Sequence, residues 1–147
     1  MSKPHDYRRT SHSVYLCDYH IVFPTKFRYA VITPELWKYL YGKLVEITDH
    51  YKTIYIKEAN HDKDHIHLLL SIPPQMSVGS VIRLIKTNTA RQIKTKFPIL
   101  RKHYWGTDSL WSEGYFVSTV GITAETIKRY IANQGDLDAG QKATLFD

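Results

Sequence analysis

Segments with strand and helix periodicity alternate along the chain in the order strand, helix, strand, strand, helix, strand. This order predicts an α+β fold of the split βαβ, ferredoxin-like type, an antiparallel sheet with helices on one face. A further amphipathic segment predicts one appended C-terminal helix. No internal repeat or linker interrupts the chain, so residues 1–147 are expected to form a single domain.

The chain opens with a polar, basic segment. Residues 1–12 are expected to be a flexible arm, and residues 13–23 predict the first strand by their Val, Ile, Tyr and Phe content. Pro24 ends that strand. Basic side chains of the arm and of the following link are candidate contacts for a phosphate backbone: Arg8, Arg9, Lys26 and Arg28.

The first helix is predicted from Thr33 to about His50. Thr33 supplies an N-cap oxygen and Pro34 occupies the first helical position, where proline is favoured. Apolar residues then recur at intervals of three and four, which predicts one buried stripe. The stripe comprises Trp37, Leu40, Tyr41, Leu44 and Ile47.

Two strands joined by a short polar turn follow. Residues 53–59 are β-branched and aromatic, residues 60–63 are polar, and residues 64–72 form an apolar run that ends at a proline pair. This pattern predicts a β-hairpin.

A second helix is predicted from Ser77 to the closing pair Phe97 and Pro98, with a buried stripe of Val78, Val81, Ile82, Ile85, Thr89 and Ile93. No acidic residue lies between Asp64 and Asp108. A one-signed run of this length favours contact with a phosphate backbone over a merely solvated face. The candidate contacts on this helix are Arg83, Lys86, Arg91 and Lys94.

The C-terminal part is less regular. Residues 99–114 carry turn residues and resist assignment, whereas residues 115–120 predict a fourth strand. Thr123 caps a last helix that Gly135 ends. Residues 136–147 are expected to be a loose acidic tail.

Composition bounds the function. The formal net charge of +6 and the pI near 9.3 favour a polyanionic partner. Cys17 is the single cysteine, which excludes an internal disulfide and any multi-thiolate zinc site. The sequence has neither a membrane-span pattern nor an N-terminal apolar signal core, so a cytoplasmic protein without a membrane partner is expected.

His65 and His67 are the first candidate site residues. Side chains alternate across a strand, so both imidazoles point to the same face and can share one metal ion. On spacing and setting alone, metal ligands and ordinary surface or core histidines are about equally favoured. Imidazole ligands favour zinc or late transition metals, whereas magnesium prefers oxygen.

Tyr130 and Gln134 lie four residues apart and thus on one side of the last helix. A tyrosine at a helix surface is usually a packing residue. A tyrosine hydroxyl can also attack a phosphodiester, and an amide oxygen one turn later can ligate the metal that polarises that phosphate.

Several longer segments identify a resemblance: YHIVFPTKFR, DHIHLLLSIPP, SVIRLIKTNTARQI, LWSEGYFVSTVG and IKRYIANQG. In these segments, and in their order across nearly the whole chain, the sequence resembles the single-tyrosine HUH transposases, small insertion-sequence enzymes that act on single-stranded DNA. The resemblance implies a transposase that cuts and rejoins single-stranded DNA at element ends through a 5′-phosphotyrosine intermediate.

The resemblance also implies roles for particular residues. His65 and His67 are the HUH pair, Tyr130 is the nucleophile and Gln134 is the third metal ligand. It implies a divalent ion, Mg²⁺ or Mn²⁺, DNA hairpins at the element ends as the substrate, and a homodimer whose tyrosine is supplied in trans.

Two other interpretations stay open at this point. A domesticated relative that acts on dispersed palindromic repeats would share the chemistry, and the DNA flanking the gene would distinguish it. A non-catalytic ferredoxin-like nucleic-acid-binding module would use sheet aromatics and the basic helix, and would leave Tyr130 without a special role.

Overall fold

The computed structural model describes residues 8–107 and 109–119 of the chain. A four-stranded antiparallel sheet and two long helices surround one apolar core. In chain order the elements are β1 (Arg8–Arg9), β2 (Val14–Tyr15), β3 (Asp18–Pro24), a short 3₁₀ turn (Lys26–Arg28), α1 (Pro34–His50), β4 (Tyr55–His61), β5 (His65–Ser71), α2 (Val78–Lys96), α3 (Leu100–His103) and β6 (Phe116–Thr119).

The strand order across the main sheet is β4-β5-β3-β6, and each neighbouring pair is antiparallel. β5 therefore separates β3 from β4, the two strands that flank α1, as the split βαβ arrangement requires. The predicted α+β, ferredoxin-like fold is confirmed, and so is the hairpin of β4 and β5. The predicted C-terminal helix from Thr123 to Gly135 lies outside the described residues.

Both long helices begin where the sequence predicted. The Thr33 side chain accepts a hydrogen bond from the Leu36 amide at 3.2 Å, and the Ser77 side chain accepts one from the Ser80 amide at 3.1 Å. These bonds satisfy donors that a helix start leaves without a helical partner. The predicted stripe of α2 is buried except for Val78, which is partly buried. On α1 Leu36 is buried whereas Tyr41 is 44% exposed. No helix in the described part of the chain has the length and apolar character of a membrane span.

The predicted first strand, residues 13–23, is divided in two. β2 pairs with β1 in a separate two-stranded sheet, and β3 joins the main sheet. The Arg8 guanidinium donates to the Thr53 carbonyl and to the Ser71 hydroxyl, both at 2.9 Å. Arg8 and Arg9, predicted as part of a flexible arm, are therefore held by strand pairing and by the contacts of the Arg8 side chain.

Element boundaries differ from the prediction elsewhere by a few residues. β4 starts and ends two residues later than the predicted 53–59, and a register irregularity between Ile56 and Glu58 interrupts its pairing with β5. Within the unassigned segment 99–114 the chain forms the single turn α3. β6 lies inside the predicted strand 115–120.

Alternate residues of β5 face opposite sides of the sheet. Ile66, Leu68 and Leu70 belong to the apolar core together with residues of both long helices, so their side is called the helix face. The whole of β5 is buried, on this side and on the other. The other side is called the histidine face, and the strand register places its residues opposite one another: Asp18, His20 and Val22 of β3, and His65, His67, Leu69 and Ser71 of β5.

Candidate metal centre and nucleic-acid interface

His65 and His67 lie side by side on the histidine face. In the antiparallel register His65 is opposite Pro24 and His67 is opposite Val22, so both rings project from the middle of the sheet. Their ring centroids are 4.6 Å apart at an interplanar angle of 72°. The two residues are only 2% and 5% exposed, respectively. The structure thus brings the two predicted imidazoles together in a site shielded from water.

Asp64, the residue before β5, fixes the orientation of the His65 ring. The Asp64 carboxylate lies 2.7 Å from Nδ1 of His65, and both side chains are buried. Since an ionised carboxylate only accepts hydrogen bonds, Nδ1 of His65 donates this bond, and Nε2 is the ring atom that could ligate a metal ion. Carboxylates that hold a histidine in this way recur beside metal ions and strengthen the imidazole as a ligand.

The His67 ring is held in its neutral form. Burial is the main cause that lowers its pKa to about 3, and the neighbouring rings of His65 and His20 contribute in the same direction. Nδ1 of His67 is buried and has no hydrogen-bond partner among the described residues. A buried polar atom without a partner costs free energy, so this nitrogen suits a ligand that accepts its lone pair.

His20 is a third histidine at the site, and the sequence analysis did not identify it. Its ring lies 5.9 Å from that of His67, nearly parallel at 16°, and burial lowers its pKa to about 4. His20 lies two residues before Val22, which is the register partner of His67. Register information would have been needed to see that it shares a face with His65 and His67.

The described residues supply two strong candidates for metal ligands rather than a complete set. Within residues 8–107 and 109–119 no group of three or more His, Cys, Asp or Glu side chains could hold a metal ion. The two further predicted site residues, Tyr130 and Gln134, lie outside the described residues. The adjacent, buried imidazoles of His65 and His67 fit a divalent ion completed by ligands from elsewhere.

A buried ion pair occupies the opposite end of the histidine face. Lys57 Nζ lies 2.8 Å from Asp18 Oδ2, and both side chains are almost fully buried. Burial raises the pKa of the Asp18 carboxyl, an effect that the hydrogen bond from Lys57 opposes. Asp18 is the register partner of Ser71 at the end of β5, whereas His65 is the first residue of β5. At about 3.3 Å per residue along the strand, about 20 Å separates this ion pair from the histidine site.

The predicted basic contacts on α2 fall into two groups. Lys86 Nζ donates to the carbonyls of Ser112 at 2.7 Å and Gly114 at 3.1 Å, and Lys94 Nζ donates to the Thr107 carbonyl at 2.9 Å. Burial lowers the pKa of Lys86. These two lysines therefore tie α2 to the segment that precedes β6.

Arg83 and Arg91 are exposed and line one groove with Lys86. The groove lies between α2 and residues 109–115 and has a volume of about 540 Å³. Arg91 also borders a second groove, shared with Lys94 and Arg101. Arg83 and Arg91 thus form an exposed cationic surface along α2, and the phosphate contacts stay a prediction.

The remaining predicted contacts lie elsewhere. Arg8 sits between the rings of Tyr15 and Tyr55, at 5.4 and 4.6 Å from their centroids, so its charge is used within the fold. Arg9 is exposed. Lys26 is partly exposed, whereas the terminal nitrogens of Arg28 are buried.

Sequence comparisons agree on one group of relatives. The model of the family "Transposase IS200 like" matches residues 13–134. The chain is 34% identical over 133 residues to the transposase for insertion sequence element IS200 of Salmonella typhimurium, covering 90% of this chain and 86% of that protein. It is 31% identical over 124 residues to the ISDra2 transposase TnpA of Deinococcus radiodurans, covering 84% and 87% respectively.

Solved structures show the same architecture. A crystal structure assigned to a transposase of Deinococcus radiodurans R1 superposes with a TM-score of 0.69 at 30% identity, covering 86% of this chain and 97% of that one. A REP-associated tyrosine transposase bound to a REP hairpin superposes with a TM-score of 0.55 at 15% identity, covering 88% and 68%. At that identity the second likeness concerns the fold alone.

Proposed function

This chain belongs to the IS200-like transposase family, and from that premise we propose that it cuts and rejoins single-stranded DNA at insertion-sequence ends through a tyrosine-linked intermediate. The observation that carries the proposal is the pair of His65 and His67. Both are buried on one face of β5 and lie 4.6 Å apart between ring centroids. The hydrophobic core does not require two adjacent imidazoles there, so a ligand role accounts for them better than packing does.

His65 and His67 would hold a divalent ion, Mg²⁺ or Mn²⁺, with Gln134 as the third protein ligand. Two neutral imidazoles and an amide add no negative charge to such a site. When bound, the ion would supply Lewis-acid polarisation of the scissile phosphate. The contribution of Asp64 is to hold the His65 ring so that Nε2 is presented as the ligand atom.

Tyr130 is the proposed nucleophile. Its phenol oxygen forms a bond to phosphorus, and the bond between phosphorus and the 3′-oxygen breaks. The products are a 5′-phosphotyrosine ester and a DNA strand that ends in a 3′-hydroxyl. The phenolic proton passes to a base, and the leaving 3′-oxygen takes up one proton from that group or from water. One phosphodiester replaces another of similar energy, so a second 3′-hydroxyl can attack the ester and join the ends.

DNA binding is proposed for the exposed cationic surface along α2. Arg83 and Arg91 are exposed there, in a stretch without acidic residues. Single-stranded DNA offers one phosphate per nucleotide, and pairing of phosphates with Lys and Arg makes such binding strongly salt-dependent. DNA hairpins at the element ends are the proposed substrate, and a second copy of the chain is proposed to supply the tyrosine in trans.

The test is covalent capture of DNA. Wild-type protein incubated with Mg²⁺ and a labelled single-stranded element end should give a detergent-resistant protein–DNA band, which Tyr130→Phe should lose while it still binds the DNA. Persistence of the band in Tyr130→Phe would refute the nucleophile assignment.

The same assay distinguishes the cis and trans arrangements. His67→Leu keeps Tyr130, and Tyr130→Phe keeps both histidines, so neither variant should form the adduct alone. If the tyrosine acts in trans, mixed dimers of the two should restore the adduct on the His67→Leu chain. A mixture that stays inactive, although the subunits are shown to exchange, would contradict the trans arrangement.

A further inference from the structure

The short 3₁₀ turn after β3 contains two strained residues. Phe27 has φ 59° and ψ 11°, and Arg28 has φ 53°, although neither is glycine. This left-handed region is unfavourable for side chains with a Cβ atom and is rare for an aromatic residue. Strained backbone of this kind persists where the surrounding structure enforces it and is concentrated at functional sites.

The strain presents an aromatic ring to solvent. Phe27 is 63% exposed, and its ring lies 5.6 Å from that of Tyr29 and 6.5 Å from that of Tyr104, nearly parallel to the latter at 20°. Tyr29 is 41% exposed and also lies 6.1 Å from His103, whereas Tyr104 is buried. Phe27, Tyr29, His103 and Tyr104 are called the aromatic cluster. The buried ring of Tyr104 supports the cluster, and Phe27 is its exposed outer member.

The aromatic cluster is connected through the backbone to the end of β5 that carries His65. Thr25, two residues before Phe27, donates through its amide to the Asp64 carbonyl at 2.9 Å. The Thr25 hydroxyl lies 2.8 Å from the Tyr29 carbonyl, to which it donates. Pro24 is the register partner of His65. These bonds tie the strained turn to the start of the strand that carries both imidazoles.

The surroundings of the cluster are cationic. Lys26 Nζ lies 5.5 Å from the centre of the Phe27 ring, and Lys94 Nζ lies 5.4 Å from that of Tyr104. Arg101 and Lys102, both exposed, are on the same turn α3 as His103. An exposed ring among positive charges is poorly suited to an apolar protein partner. It suits a nucleobase, because the phosphates can pair with the cations while the base stacks on the ring.

We propose that Phe27 is a stacking platform for an unpaired base of single-stranded DNA that runs past the histidine site. The proposal rests on the proposed function for the identity of the strand, and it adds a positioning residue that the metal and tyrosine chemistry do not include. The strained turn holds the ring outward in a fixed orientation. A base stacked there would anchor the strand next to the phosphate that reacts.

The test measures binding of a fluorescein-labelled oligothymidylate by anisotropy, without any need for cleavage. Phe27→Ala should weaken binding about 5- to 100-fold, the range expected from loss of one base–aromatic stack. Phe27→Tyr should restore it, because a ring is again present. Tyr41→Ala is the matched control, since Tyr41 is an exposed aromatic residue on α1, and it should bind like wild type.

Binding of duplex DNA distinguishes the loss of base stacking from a structural effect of the Phe27→Ala substitution. Oligothymidylate annealed to oligodeoxyadenylate offers no unpaired base, so Phe27→Ala should bind this duplex as wild type does. Equal weakening for single strand and duplex, or wild-type binding of the single strand by Phe27→Ala, would overturn the proposal.

The outcome is distinguishable from that of the covalent-capture test. If wild-type protein formed no adduct but Phe27→Ala still lost single-strand binding selectively, the cleavage function would fall and the stacking role would stand. If the adduct formed and Phe27→Ala bound the single strand normally, only the stacking role would fall.

Discussion

The two faces of β5 are equally buried but chemically opposite. Ile66, Leu68 and Leu70 on the helix face are 0% exposed and pack in the apolar core. His65 and His67, which alternate with them, are almost as deeply buried on the histidine face. One strand thus serves the fold with every second residue and the proposed chemistry with the residues between. A single-residue shift in register would exchange the two sets.

Burial has different energetic consequences on the two faces of β5. On the helix face, removal of apolar surface from water stabilises the fold. On the histidine face, burial disfavours the charged forms of His20 and His67 and lowers their pKa values to about 4 and about 3. Burial on the histidine face therefore lowers the stability of the fold in acid, and it keeps these rings neutral at neutral pH, the form in which an imidazole can act as a ligand.

The largest expected effect is loss of activity without loss of fold. His67→Leu should abolish the protein–DNA adduct, because the ligand atoms are removed, while the free energy of unfolding in urea stays near the wild-type value. An apolar side chain of similar size in place of a buried polar one is often neutral or stabilising.

The matched variant on the other face should behave in the opposite way. Leu68→Ala removes buried methyl groups from the core and should lower the free energy of unfolding by about 2–5 kcal/mol. The folded fraction should still form the adduct. If Leu68→Ala lost the adduct while fully folded, or if His67→Leu kept it, the assignment of folding to the helix face and of metal binding to the histidine face would be wrong.

A graded effect is expected from acid. In the metal-free protein with EDTA, the unfolded chain takes up protons on His20 and His67 near pH 6.5, whereas the folded protein does so only near pH 4 and pH 3. Protons therefore favour unfolding in this window. The free energy of unfolding should fall as pH falls below about 6.5, by about 1.4 kcal/mol per pH unit for each histidine.

His20→Leu provides the control for the acid measurement. Removing one of the two histidines should roughly halve the slope between pH 6.5 and pH 4. Urea titrations at several pH values measure it, and a slope that is unchanged in both His20→Leu and His67→Leu would contradict the assigned pKa values.

Most of the fold could be predicted from local sequence signals. The caps at Thr33 and Ser77 and the periodicity after each of them specify α1 and α2, because they act within one or two helical turns. The division of the first predicted strand could not be predicted in this way. It depends on Arg8, whose partners Thr53 and Ser71 are 45 and 63 residues away.

The site shows the same division between local and distant information. The shared face of His65 and His67 follows from strand alternation alone, and the structure places both where alternation requires. The proximity of His20 depends on register between distant strands. The contacts of Lys86 with carbonyls 26 and 28 residues away depend on tertiary packing, so the sequence identified this lysine only as a candidate phosphate contact.

The strained turn at Phe27 could not be predicted from the local sequence either. Sequence propensity places a phenylalanine in strand or helix, and nothing in its neighbours predicts a φ of 59°. The conformation is imposed by bonds such as that from the Lys26 amide to the Leu110 carbonyl at 2.7 Å. Distant constraints thus account for the features that the sequence analysis missed.

The central claim is that His65 and His67 together bind a divalent ion, and electron spin echo spectroscopy of Mn²⁺ bound to the protein tests it most directly. Wild-type protein should show nitrogen couplings from two imidazoles, and Asp64→Asn should keep both couplings while its Mn²⁺ affinity falls about 10- to 100-fold. Bound Mn²⁺ without nitrogen couplings, or with couplings that persist in the His65→Leu, His67→Leu double variant, would contradict the claim.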